Sequence, residues 1–287
     1  MILIQILSGI SHGAVLFIAA AGLTLTFGVL RIANFAHGSL YMTGAFAAFS
    51  IVRWVGNSTA GFLTATVLAP LAAALLGAAI EFFLLRRIAN RSNHYQLILT
   101  YSLTLIIADL AAMLYGRNHL SVPRPSLLDG GIAIAGFTFP FYNMVLIVVG
   151  LLVATLLALV FGFTRLGKII QAAVMDSEMV VASGINVPQL HTLVFAAGAW
   201  LAGLAGALAA PVGSISVGMD AGIIVDCFAI VIIGGAGSIS GAFIAAMVVG
   251  LTQSLGIIVA PRLASAFIFL VLFIILLVRP QGILGRA

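Results

Sequence analysis

TRLGKIIQAAVMDSEMVVASGINV, residues 164–187, is the longest run in the chain that cannot sit in lipid, and uninterrupted apolar sequence enters and leaves it. It carries Arg165, Lys168, Asp176 and Glu178 in a chain that is only 7% charged. At helical spacing Leu166, Ile169, Ile170, Ala173 and Val174 share one face, and Arg165, Lys168 and Gln171 lie on the other. Asp176 and Ser177 suit the N-cap of a second short helix over 178–183. Gly184 suits the left-handed residue that ends it, and Pro188 favours a fresh start. The stretch predicts a helix–turn–helix element at a membrane surface, with an apolar stripe that something must cover.

Composition fixes the class around it. The chain has 287 residues, is 63% hydrophobic and has a mean hydropathy of +1.29. Soluble domains carry roughly 25% charged residues, so the expected fold is an all-α polytopic membrane protein, one transmembrane domain over 1–287. Long apolar runs without period-2 alternation exclude a β-barrel. The opening MILIQILSGI has no basic n-region and reads as a retained helix rather than a cleaved signal. Cys227 is the single cysteine, which excludes an intrachain disulfide. The net charge of +5 comes from basic residues dispersed among loops, a signal of topology and not of nucleic-acid binding.

Apolar segments fall at 6–30, 35–52, 62–85, 97–115, 141–163, 191–212, 223–258 and 263–278. At ~20 residues per crossing they predict eight to nine transmembrane segments. The seventh is too long for one straight crossing and is interrupted by GGAGSISG at 234–241, so a broken helix or two short ones are expected there. Arg86, Arg87 and Arg91 share one short loop, Arg165 and Lys168 follow two spans later, and Arg279 and Arg286 close the chain. Placing all of them on the cytoplasmic side puts the N-terminus outside and the C-terminus inside. The loop at 116–139 then faces outward and reads as turns with a short hairpin. Gly38-Ser39 followed by TGAFAA resembles Gly237-Ser238 followed by SGAFIAA, which suggests an inverted repeat interrupted by glycine at matching places.

Two motif resemblances fail. GFTRLGKI at 162–169 lacks the Ser or Thr that a phosphate loop needs after its Lys, and a membrane helix precedes it instead of a strand. Gly235-x-Gly237-x-x-x-Gly241 has one residue too many for a dinucleotide fingerprint and lies in an apolar segment. No ATP site is expected in this chain. His12, His37, His94, His119 and His191 are scattered, with no metal-ligand spacing and no Ser–His–acid set, so no enzyme is expected either.

The glycine-rich breaks carry more. A half-helix that starts inside the membrane aims free N–H groups and a positive dipole end into a cavity, which suits a carboxylate. Asn34, His37 and Gly38 at one break, with Gly234, Gly235, Gly237 and Ser238 at the other, form the expected substrate path. The same glycines also suit close helix packing. Asp109 and Asp226 lie in apolar segments, where a carboxylate usually faces an interior or a cavity. Glu81, five residues before Arg86, predicts an ion pair at a helix end.

GLTLTFGVLRIANFAHGSLYMTGAFAA at 22–48 resembles the shorter permease subunit of branched-chain amino acid (Liv-type) ABC importers. The resemblance continues through TRLGKIIQAAVMDSEMVVASGIN, FAAGAWLAGLAGALAAP, VIIGGAGSISGA and RPQGILG, in order along nearly the whole chain. It implies a cytoplasmic-membrane permease paired with a second permease, commonly a paralogue. Two ATP-binding subunits, which hold ATP and Mg²⁺, and a periplasmic substrate-binding protein complete such importers. It also implies that 164–186 docks on an ATP-binding subunit, which makes Arg165, Gly167, Lys168, Asp176, Glu178 and Gly184 the expected coupling residues. Gln171, where relatives usually carry Arg, Ser177, often Pro, and Asp226, where residues vary, depart from the family pattern. The competing expectation is a self-sufficient secondary transporter or channel, for which Asp109 would be the buried acid.

Overall fold

The computed structural model describes residues 2–89, 91–134 and 136–285, so Arg286 lies outside it. It is an all-α polytopic membrane protein. The helices are α1 (Ile2–Leu30), α2 (Ala36–Val55), α3 (Thr59–Phe83), α4 (Asn93–Tyr115), α5 (Phe141–Phe163), α6 (Arg165–Met175), α7 (Ser177–Ala182), α8 (Val187–Ala209), α9 (Met219–Gly234), α10 (Ile239–Val259) and α11 (Phe267–Val278). Among the described residues six helices, α1, α3, α4, α5, α8 and α10, are long and apolar enough to cross a membrane. α2 is held below that class by His37, Ser39 and Arg53, while α9 and α11 are short. The loop before α5 carries the expected hairpin, β1 (Gly131–Ile134) antiparallel to β2 (Phe137–Pro140), with Ile134 opposite Phe137. A separate antiparallel bridge joins Leu120 to Ile215.

α1 is the hub, buried at every residue from Gly13 to Thr26. Apolar side chains gain nothing by leaving lipid for each other, so membrane helices associate through close backbone approach at small residues. Gly22 of α1 faces Gly198 of α8, and Gly9 and Gly13 face Leu251 and Met247 of α10. Gly77 and Ala73 of α3 face Ala199 and Gly203 of α8. Each of these pairs is antiparallel, so α1–α2–α3 and α8–α9–α10 run in opposite directions. Both α3 and α10 begin at a serine cap: Ser58 Oγ accepts from the Gly61 N–H, and Ser238 Oγ from the Gly241 N–H, each at 3.1 Å.

The inverted arrangement therefore differs from the one the glycine motifs suggested. Gly38 opens α2, whereas Gly237 precedes α10, and the two sit at different depths. A Cβ on Gly38 would meet the Asp220 carbonyl oxygen at the start of α9, while one on Gly237 would meet Gly28, two residues from the end of α1. The counterpart of the α2 start is the α9 start. Sequence similarity followed the shared small-residue packing, not the topological position.

The break at 234–241 is the turn between α9 and α10, at the end of the bundle that also carries α6 and α7. The tail after α11 covers it: Ile283 N–H donates to the Ile233 carbonyl (2.8 Å) and Leu284 N–H to the Gly234 carbonyl (3.1 Å). Gly235 has φ +96°, and a Cβ there would lie 2.4 Å from the Gly285 nitrogen. Gly235→Val is expected to lift the tail, so hydrogen exchange over 280–285 should speed up, and an unchanged exchange rate would refute this packing role.

The arginine-rich loop lies at the same end. Glu81 accepts from the Thr192 hydroxyl of α8 rather than pairing with Arg86, whose guanidinium lies over the Phe82 ring at 5.5 Å. α3 turns its Glu81 face inward against α8, which gives the carboxylate a neutral donor and leaves Arg86 on the exposed face.

Candidate functional site

Between α1 and α2 the chain turns back into the bundle. Arg31 takes the left-handed conformation (φ 53°), and residues 31–35 climb inward before α2 starts. His37 Nε2 donates to the Ala19 carbonyl at 2.8 Å, about eleven residues short of the end of α1, or ~16 Å along a helix. Thr100 Oγ1 reaches the Ala33 carbonyl at 3.4 Å, and the Phe35 ring stands edge-on to Tyr101 at 6.3 Å, both well inside α4. α2 thus starts in the interior, beside the middle of α1, and runs 20 residues from there to Val55. No side chain caps its start; the His37 N–H donates to the Asn34 carbonyl at 3.4 Å, and the positive dipole end of the helix points into the interior.

Three buried polar atoms cluster at that start. Asn34 is 2% exposed, and neither its Oδ1 nor its Nδ2 has a hydrogen-bond partner among the described residues; the same holds for His37 Nδ1. With Nε2–H committed to Ala19, a neutral His37 presents Nδ1 as an acceptor. Ser39 Oγ donates to Asp220 Oδ2 at 3.1 Å, tying α2 to the first turn of α9, which follows Gly218 at φ +100°. The starts of two oppositely directed helices therefore meet around Asn34, His37, Ser39 and Asp220. Ser39 and Asp220 were missed from sequence. Gly218-x-Asp220 ahead of an apolar run is an acidic first turn that could have revealed the second helix start.

Gly234, Gly235, Gly237 and Ser238 do not join this cluster. They lie at the α6 end, with Gly235 under the tail, Gly237 against Gly28, and Ser238 capping α10. The expectation of irregular backbone at membrane depth fails there because α9 is short enough to end near the end of α1.

The surface pair α6–α7 forms largely as its sequence suggests. Thr164 Oγ1 caps α6 by accepting from the Gly167 N–H (3.1 Å). Asp176 Oδ1 caps α7 by accepting from Glu178 N–H (3.0 Å) and Met179 N–H (3.1 Å). Gly184 closes it at φ +81°. The seated face differs in one residue. Gly167, Ile170 and Ala173 are buried, whereas Leu166 is 52% exposed. α6 folds back on the end of α5 so tightly that a Cβ on Gly167 would sit 2.2 Å from the Val160 carbonyl, and this rotates the seam away from Leu166. Gln171 Nε2 secures the fold-back by donating to the Phe161 carbonyl at 2.9 Å.

Ile170, Ala173 and Val180 pack with Leu25, Val29, Leu190 and Val194, so α6–α7 rest directly on α1 and α8. Arg165, Lys168 and Glu178 stay exposed, as do Leu166, Met175, Met179 and Val181. The exposed Arg31, three residues before Asn34, ties α6 to the end of α1: its guanidinium donates to the Val174 carbonyl at 2.9 Å. Gly162 lies within α5, and Thr164 serves as a helix cap, so 162–169 forms no phosphate-binding loop.

A model of the family described as branched-chain amino acid transport system / permease component matches residues 5–276. The high-affinity branched-chain amino acid transport system permease protein LivH of Escherichia coli (strain K12) is 29% identical over 300 residues, covering 98% of this chain and 95% of that protein. BraD of Pseudomonas aeruginosa, described in the same words, is 27% identical over 302 residues, at 98% and 95% coverage. The probable branched-chain amino acid transport permease protein LivH of Methanocaldococcus jannaschii is 27% identical, at 98% and 92% coverage. PsaBC from Streptococcus pneumoniae in complex with Fab aligns with a TM-score of 0.48 at 18% identity, over 99% of this chain and 90% of that one.

Proposed function

This chain belongs to the family of branched-chain amino acid transport system permease components, and we propose that it is a transmembrane subunit of an ATP-driven importer for amino acids or related small carboxylate or amide solutes. It forms half of the translocation path with a second permease in the cytoplasmic membrane of a bacterium. The α6 end, with Arg86, Arg87, Arg91, Arg165 and Lys168, faces the cytoplasm, as the distribution of basic residues favours. A periplasmic binding protein delivers the solute to the opposite end. ATP and Mg²⁺ act on two separate ATP-binding subunits.

The observation that carries this reading is the α6–α7 pair. One apolar face is seated on α1 and α8, and a second, with Leu166, Met175, Met179 and Val181, is left outward beside Arg165, Lys168 and Glu178. A soluble ATPase subunit supplies the missing cover, and movement of α6 reaches the end of α1 through Val174 and Arg31. The solute meets the α2 start, where the positive helix end, the Asn34 amide and His37 Nδ1 offer weak contacts to a carboxylate or amide. Gly38 and Ser39 hold that start against α9.

Vesicle uptake tests the reading. Proteoliposomes holding this chain with its partner subunits should accumulate solute only with ATP, and vesicles holding the chain alone should not. ATP-independent uptake by the chain alone would establish a secondary transporter or channel instead. Asp176→Lys tests the docking element. It removes two capping bonds and reverses the charge at a helix start, a loss of ~1–2 kcal/mol of local stability. Substrate-stimulated ATP hydrolysis by the assembled complex should fall while membrane insertion persists, and unchanged stimulation would refute the assignment.

A further inference from the structure

We propose that the groove between α3 and α8 at the α6 end of the bundle seats an anionic phospholipid, with its phosphate on Arg86 and its acyl chains along α3. The two helices touch where Gly77 meets Ala199: a Cβ on Gly77 would lie 2.4 Å from the Ala199 Cβ. Toward the α6 end a cavity of about 410 Å³ opens between them, lined by Phe82, Arg86, Gln189, Thr192, Leu193 and Ala196. Arg86 is the one charged residue in this lining. Glu81 is near in sequence, but it is buried and accepts from the Thr192 hydroxyl, so it does not neutralise the guanidinium. The guanidinium stands over the Phe82 ring instead, at 5.5 Å.

One molecule satisfies both halves of this place. The outer side of α3 is apolar along its length, with Leu63, Val67, Leu71, Leu75 and Phe82 exposed, and Leu193 of α8 carries that surface into the groove. Acyl chains cover such side chains, whereas a soluble anion leaves them bare. At the mouth, the planar guanidinium matches a phosphate through paired N–H donors, and its seat over Phe82 reduces the freedom it gives up on binding. Gln189 adds an amide donor from the first turn of α8, where the helix dipole is positive. Arg87 and Arg91 are exposed in the adjoining loop. Their field favours an anionic headgroup over a zwitterionic one, and basic pockets between membrane helices recognise headgroups in this way.

Native mass spectrometry of the detergent-purified full chain, offered phosphatidylglycerol or phosphatidylcholine with the same acyl chains, tests the site. Phosphatidylglycerol should be retained ~5-fold more strongly than phosphatidylcholine, and Arg86→Gln should cut that retention ~5-fold, the effect of one arginine at an anionic membrane surface. Gln189→Glu, which puts a carboxylate at the mouth, should cut it as well. Both residues are exposed, so neither change disturbs the core, and Arg117→Gln in the loop at the opposite end should leave retention unchanged. Equal retention of the two lipids would overturn the anionic headgroup, and unchanged retention in either groove variant would overturn the site. Displacement of phosphatidylglycerol by millimolar inorganic phosphate would give the groove to a soluble anion. A photocrosslinker at Leu193 in native membranes should yield phospholipid adducts; adducts to another protein in their place would overturn the lipid.

Discussion

Asn34→Leu should make the permease more stable and nearly inactive at once. Leucine is close to asparagine in shape, and both amide atoms of Asn34 are buried without a protein partner. An unsatisfied buried polar group costs ~1–3 kcal/mol, which an apolar replacement recovers. At ~2–4 °C per kcal/mol for chains of this class of size, the melting temperature should rise by several degrees. If the amide meets the solute during passage, each lost hydrogen bond costs ~1–1.5 kcal/mol, about tenfold in uptake. Thermal melting of the detergent-purified complex and uptake in proteoliposomes measure the two effects. A variant that is stabilised and transports normally would show that Asn34 does not touch the solute. A destabilised variant would show that the amide is satisfied in the folded protein.

Gly206→Val should prevent assembly altogether. α2 crosses α8 where Gly44 meets Gly203 and Gly206 meets Tyr41. A Cβ on Gly206 would lie 2.0 Å from the Tyr41 carbonyl oxygen, and one on Gly44 would lie 2.2 Å from the Gly203 carbonyl oxygen. Both obstacles are backbone, so no side chain can swing aside, and the helices must separate. That separation pulls Gly38 from Asp220 and Ser39 from its carboxylate, dismantling the interior cluster. The cost exceeds the ~1–3 kcal/mol of ordinary overpacking and reaches the ~4–5 kcal/mol range that removes a marginally stable protein. Membrane levels of folded protein, read by gel filtration in mild detergent, should fall to background. Gly162→Ala is the control, because nothing lies within 4 Å of its Cβ position; normal recovery of Gly206→Val would refute the crossing.

The class of fold, the helix break at 234–241 and the capped pair α6–α7 were legible in the sequence because each rests on local chemistry. Hydropathy runs set the spans, Gly235 and Gly237 end a helix wherever they stand, and Asp176 and Gly184 cap α7 within a few residues of themselves. The start of α2 next to Asn34–His37 was legible for the same reason. Depth and partnership were not. GSxxxTGAFAA and GSxSGAFIAA look alike, yet one opens α2 in the interior and the other caps α10 at the end of the bundle, because small residues serve every close helix contact alike. The pairing of Ser39 with Asp220 spans 181 residues, and the Arg31 bond to α6 depends on a left-handed arginine that no propensity favours. Local sequence decides which segments are helices and where they stop. Only the packing of α1 against α8 and α10 decides which helix starts face each other, because that choice rests on backbone contacts between residues far apart in the chain.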